Sequence, residues 1–167
     1  MAKYNLQALL TMKPEKTNVC RLLDQAGIEY DFFCYEDTDA ISGMEVATVL
    51  NEDPSQVFKT LVTVGASRKN YVFMVPVDAE LNLKKAAKAV SEKSIEMIKS
   101  RELLPLTGYI HGGCSPIGMK KAFPTVLDET AILYDKIYFS AGKIGYQVAA
   151  NPDDLAKLID LKLVDII

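Results

Sequence analysis

The spacing of apolar residues changes several times along this chain, and each change predicts an element. In "TNVCRLLDQAGIEY" Val19, Leu22, Leu23 and Ala26 recur at helical spacing, and Gly27 supplies a stop, so a helix is expected there. "YDFFCYE" is an aromatic-rich run that predicts a strand; the polar loop "DTDAIS" leads to a second short helix, "GMEVATVLN". "VFKTLVTV" and "YVFMVPV" are strand-like runs joined by the turn signal "GASRKN", which predicts a hairpin. The second run is too uniformly apolar to be exposed on both faces.

Further on, Asn82 is placed to cap the helix "LKKAAKAV". "SIEMI" reads as a short strand and "SRELLPLTG" as a short helix stopped by Pro105 and Gly108. A glycine-rich loop, "GYIHGGCSPIGMKK", comes next, and "TVLDETA" follows it. "KIYFSAG" and "IGYQVAA" predict a strand pair around a turn at Gly142, Asn151-Pro152 opens the helix "DDLAKLI", and "KLVDII" is a final strand. Short strands and helices interspersed without regular βα alternation predict an α+β fold with a mixed, strongly curved sheet. With neither a GxGxxG nor a Walker A sequence, a Rossmann or nucleotide-hydrolase reading has no motif behind it.

Composition narrows the classes. The 167 residues, 49% hydrophobic and 25% charged, suit one compact domain over residues 1–167. Cys20, Cys34 and Cys114 are odd in number and lack metal-ligand spacing, so neither a disulfide framework nor a zinc site is indicated and a reducing cytoplasm is expected. "MAKYNLQALLTMKPEK" lacks the apolar run of a signal peptide, and no stretch is long enough to cross a membrane. The net charge of -3 argues against a general nucleic-acid coat. Yet residues 81–125 hold eight Lys/Arg against three acids. Lys84, Lys85, Lys88, Lys120 and Lys121 therefore form either a solvated helix face or a phosphate-facing patch.

Candidate chemistry lies at a few positions. Lys59 interrupts an apolar strand; it either points outward with Val57 and Leu61 or serves as a fixed donor to a ligand oxygen in a cleft. Gly112, Gly113 and Pro116 make a loop whose backbone can approach a ligand and aim N–H groups at an oxygen, although ordinary turns use the same residues. Cys114 lies three residues from His111, the chain's one histidine, but that spacing does not predict a nucleophile–base pair. Ser140 and Gly142 sit at a hairpin tip where a hydroxyl and N–H groups can hold a ligand or simply make the turn. Tyr35, Asp37 and Asp39 are polar groups beside a strand end, with capping as the ordinary role for the acids.

Taken in order, "VFKTLV", "LNLKKAAKA", "TGYIHGGCSPIGMKK", "IYFSAGKIGYQV" and "NPDDLAKLI" resemble the YbaK-type free-standing aminoacyl-tRNA editing proteins, including relatives labelled EbsC, and cover nearly the whole chain after about residue 13. The resemblance implies a curved, mixed, barrel-like sheet with peripheral helices, forming a single editing domain. It also implies hydrolytic removal of a wrongly attached amino acid from tRNA, most typically cysteine from tRNA(Pro), with alanine as an alternative. Cysteine and proline are close in size, so a synthetase pocket discriminates poorly between them and a second sieve is needed. Carried over by position, the family's lysine falls on Lys59 and its loop on Gly112 to Pro116, making Lys59 and Gly112 the expected catalytic positions. Tyr35, Thr60, Gly113, Ser115, Pro116, Ser140 and Gly142 are the expected substrate-binding ones. The implied mechanism uses the substrate's own thiol as nucleophile, with no cofactor and no metal, and gives Cys114 a packing role. The implied partners are the acceptor end of an aminoacylated tRNA and, transiently, prolyl-tRNA synthetase. Ile144 departs from the arginine frequent in "GKRG" of the family, which weakens that turn as a phosphate contact. The competing classes are a non-catalytic module that binds the tRNA end or a regulatory partner, and a hydrolase dependent on Cys114.

Overall fold

The structure, a computed structural model, describes residues 3–4 and 15–167. The reading of "MAKYNLQALLTMKPEK" as lacking a signal peptide falls largely outside the described residues. Along the chain come β1 (Lys3–Tyr4), α1 (Asn18–Gln25), β2 (Tyr30–Cys34), α2 (Gly43–Val49), β3 (Phe58–Gly65) and β4 (Asn70–Pro76). They are followed by α3 (Leu83–Ala89), β5 (Ile95–Met97), α4 (Ser100–Thr107), β6 (Thr125–Asp128), β7 (Ile137–Ser140), β8 (Tyr146–Ala150), α5 (Pro152–Leu155) and β9 (Leu161–Val164).

The strands form two sheets, in the orders β1-β2-β8-β7 and β5-β3-β4-β6-β9. Each mixes parallel and antiparallel pairs: β1 runs parallel to β2 while β8 is antiparallel to both its neighbours, and β4, β6 and β9 are mutually parallel beside the antiparallel β3–β4 hairpin. This α+β arrangement of mixed sheets agrees with the sequence pattern, but the sheet does not close into a barrel. Closure needs a continuous ladder. Here the isolated bridge Val57–Tyr138 stands between the sheets instead. The outer edge of β3 is covered by β5 only over Thr63–Gly65, which leaves its first half open.

Period-2 alternation builds the interior. Tyr30 and Phe32 of β2, Ile137 and Phe139 of β7 and Tyr146, Val148 and Ala150 of β8 point one way, meeting Phe58, Met74 and Leu127 of the other sheet and Val19, Cys20 and Leu23 of α1. On β4, Tyr71, Phe73 and Val75 point the opposite way, under Ala86 and Ala87 of α3. Both faces of β4 are thus buried, as its uniform apolar run requires. The helix starts follow local chemistry: Thr17 accepts from the Cys20 N–H, Ser42 and Glu45 form a reciprocal capping box, and the Asn82 carboxamide oxygen accepts from the Lys84 and Lys85 amides.

One predicted stop is corrected. α4 continues through Pro105 to Thr107 and ends at Gly108. Proline deprives only the carbonyl four residues earlier of its helical donor, and that carbonyl belongs to Arg101, an exposed residue that water can serve.

Candidate active site

The open half of the β3 edge forms one wall of a cleft of about 460 Å³. The start of α2 with Ile41 and Met44, the turn into α4 with Met97 and Leu103, and the glycine loop close other sides. Ser140 and Gln147 reach it from the other sheet, and Tyr35 from the end of β2. The cleft arises because β5 is too short to complete the ladder: the Ile98 N–H still donates to the Val62 carbonyl at 3.3 Å, but pairing stops there. The Val57 carbonyl, by contrast, accepts from Val77 on the β4 side. Backbone polar groups alternate in direction along a strand, so those of Thr60, two residues before Val62, point into the opening. The Thr60 Oγ1 is also buried without a hydrogen-bond partner.

Lys59 lines this cleft with its side chain 28% exposed, and its Nζ is 3.4 Å from Glu80 Oε1. The outward alternative fails for its neighbour Val57, which is 3% exposed and packs with Ala47 of α2 and Val77. Leu61, on the same side of β3, packs against the cluster beneath α3. The ammonium therefore reaches along a largely apolar wall, with one weakly held acid as partner.

The glycine loop meets the cleft at His111, Gly112 and Cys114. Gly112 has φ +87°, and a Cβ there would lie 2.9 Å from Cγ2 of Ile41. Gly113 lies behind it: a Cβ would sit 3.1 Å from the Ile144 backbone nitrogen, and its own N–H donates to the Ile110 carbonyl. Ser115 and Pro116 are buried, with the Ser115 Oγ accepting from the Ile117 N–H at 3.4 Å. Gly142 packs against Tyr109 and Val19. Of the sequence-derived positions, Lys59, Thr60, Gly112, Tyr35 and Ser140 line the cleft together, whereas Gly113, Ser115, Pro116 and Gly142 stand behind it and shape the loop.

Burial governs the Cys114 thiol and the Tyr35 phenol of the cleft. It pushes the Cys114 thiol up to about 12, and no hydrogen bond joins Cys114 to His111, which is exposed. Burial raises the Tyr35 phenol as well, against the opposing effect of a Gly145 backbone hydrogen bond. The Ser140 Oγ accepts from the Gly142 N–H at 3.1 Å, with no base activating it among the described residues. Among the described residues there is also no His/Cys/Asp/Glu cluster able to hold a metal ion, and no helix long and apolar enough to cross a membrane.

Sequence reasoning missed Gln147 and the apolar walls. Gln147 is 3% exposed, and its Oε1 is buried without a partner. A lone polar residue in "YQVAA" is the same kind of signal that singled out Lys59. Of the basic stretch, Lys99 lines the cleft, whereas Lys85 on α3 pairs with Asp165 at 2.8 Å.

The aminoacyl-tRNA editing domain model matches residues 38–158, which include the whole cleft apart from Tyr35. The chain belongs to this family. A protein of Enterococcus faecalis (strain ATCC 700802 / V583), provisionally named Cys-tRNA(Pro)/Cys-tRNA(Cys) deacylase EbsC, is 43% identical over 155 residues, covering 91% of this chain and 93% of that one. Among solved structures, one provisionally named a trans-editing enzyme for prolyl tRNA synthetase superposes with a TM-score of 0.77 at 24% identity, over 93% of this chain and 98% of the other. A protein described as hypothetical superposes with a TM-score of 0.80 at 20% identity, over 90% and 99%. These two likenesses establish the editing-domain fold.

Proposed function

We propose that this protein is a trans-editing deacylase that removes cysteine from mischarged tRNA(Pro), the whole chain acting as a single editing domain. The observation that carries the reading is the meeting of Lys59 and Gly112 on one cleft that holds no activated protein nucleophile, in a member of the aminoacyl-tRNA editing family. The similarity to EbsC supports the choice of a cysteinyl substrate.

With the ester carbonyl against the β3 edge, the substrate's thiol sulfur attacks the carbonyl carbon, held close enough that the step is effectively intramolecular. The new C–S bond closes a cyclic thioester as the C–O bond to the terminal adenosine breaks. The thiol proton passes to the departing ribose oxygen, and water then hydrolyses the thioester to free cysteine. Lys59, the Thr60 N–H and the Gly112 backbone stabilise the negative charge that gathers on the carbonyl oxygen. Tyr35 and Ser140 supply polar contacts to the bound end. Gly113, Ser115, Pro116 and Gly142 hold the loop in register from behind.

The acceptor end of the tRNA reaches the cleft past Lys99, and a transient complex with prolyl-tRNA synthetase delivers it. Incubating Cys-tRNA(Pro), Ala-tRNA(Pro) and Pro-tRNA(Pro) with the protein tests the proposal. Selective loss of the cysteinyl ester is the expected result. Faster loss of the alanyl ester would reassign the substrate, and stability of all three esters would overturn the activity.

A further inference from the structure

On β8, Tyr146 and Val148 point into the core between the sheets, so the intervening Gln147 points to the opposite face, where its backbone pairs with Phe33 on one side and Ser140 on the other. Behind it lies Glu52. The chain leaves α2 through Asn51 at φ 53°, and the Glu52 N–H returns to the Ala47 carbonyl at 2.8 Å, which turns this residue back against the sheet. Both Glu52 carboxyl oxygens are buried, and neither has a hydrogen bond of normal geometry. The Gln147 amide is nevertheless close enough to oppose the effect of burial on the carboxyl. The other titratable groups beside it are the phenols of Tyr35 on β2 and Tyr138 on β7, and no ion pair to Glu52 is found among the described residues.

We propose that Glu52 is a positioning residue that orients the Gln147 amide so that its Oε1 is presented to the cleft as an acceptor for the amino group of the aminoacyl ligand. The inference rests on the reading that the ligand is an aminoacyl ester. Gln147 acts to lower the Glu52 carboxyl, the sign of an amide N–H donated to it, and Oε1, which has no partner, is left as the amide's free atom. That oxygen and the Thr60 Oγ1 are two buried polar atoms on the cleft without partners, and an unpaired buried acceptor is costly unless something donates to it. Every aminoacyl ester carries an amino group as an obligatory donor. Burial moves the Glu52 carboxyl up to about 8, so it is mostly neutral at pH 7 and accepts from Gln147 without bringing a full charge into the interior.

The test uses two non-hydrolysable probes: 3'-deoxyadenosine bearing cysteine through a 3'-amide, and the same molecule with 3-mercaptopropionate in place of cysteine. The wild type is expected to bind the amine-bearing probe more tightly by about tenfold or more. Gln147→Leu abolishes that preference. Glu52→Leu abolishes most of it, whereas Glu52→Gln, whose carboxamide oxygen still accepts from Gln147, keeps it; a merely structural role predicts no such split at equal melting temperature. The double variant Glu52→Leu/Gln147→Leu loses no more than Gln147→Leu alone. An unchanged preference in Glu52→Leu, no preference in the wild type, or additive losses overturns the proposal. Deacylation of Cys-tRNA(Pro) measured in parallel separates the two readings. Probe preference without hydrolysis removes the deacylase activity but keeps this site, hydrolysis without preference removes the site alone, and absence of both removes both.

Discussion

Lys59 and Glu80 form an uneven pair: their atoms approach to 3.4 Å, yet the lysine side chain is 28% exposed and the glutamate 93%. An exposed carboxylate holds an ammonium weakly against solvent and salt, so the pair leaves Lys59 available to a ligand oxygen. Lys59→Met is accordingly expected to lower kcat/KM for Cys-tRNA(Pro) by about 100-fold or more, the scale seen when one charge-stabilising donor is removed. Glu80→Gln should change it by less than about threefold. Single-turnover deacylation of both variants decides the point; equal effects would make the ion pair, rather than the free lysine, the working unit.

Gly112→Ala separates backbone conformation from packing. The new methyl would lie 2.9 Å from Cγ2 of Ile41, an exposed side chain that can move aside, but φ +87° remains unfavourable for any residue with a Cβ. A stability loss of about 1–2 kcal/mol is expected, with a larger loss of activity as the loop relaxes away from the cleft. Adding Ile41→Ala should restore little of either. Recovery of activity in that double variant would show that crowding, and not φ, was the cause.

Lys59 was legible in the sequence because it breaks its local pattern, a charge in an apolar strand, whereas the Gly112 loop, which ordinary turns also explain, stood out only through the order of motifs in the family resemblance. The order and type of elements were legible from apolar spacing and turn signals, although the helix expected over "DDLAKLI" ends at Leu155. Barrel closure was not legible, since whether β7 of one sheet and β3 of the other pair beyond the single Val57–Tyr138 bridge depends on contacts distant in sequence. The Pro105 stop failed because proline's cost depends on which carbonyl it strands, and here that is an exposed one. Glu52 gave no signal, because nothing in "LNEDPSQ" reveals that the turn after α2 folds back against β8.

Cys114 borders the cleft, yet its thiol, moved up to about 12 by burial, is protonated at any physiological pH and has no base beside it. Cys114→Ala should therefore retain deacylase activity within about threefold, with a stability cost of about 1 kcal/mol for the lost packing. A Cys114-dependent hydrolase would instead lose all activity. Activity assays on Cys114→Ala, with melting curves to account for folding, distinguish the two.

Glu52 makes the stability of the fold depend on pH with a definite sign. Its carboxyl has an ordinary value of 4.5, and burial in the native state raises it to about 8, so between these values the folded protein binds more protons than the unfolded chain. Native stability conferred by the neutral acid is fully present below about 4.5, declines as pH rises, and levels off above about 8. Glu52→Gln keeps the shape and removes the titration. The variant should match the wild type near pH 5 and exceed it near pH 9 by on the order of 2–4 kcal/mol. Urea unfolding of both proteins at the two pH values measures the difference directly. A gap that stays constant with pH would mean that Glu52 is ionised in the folded state throughout, and that its buried surroundings provide a counter-charge.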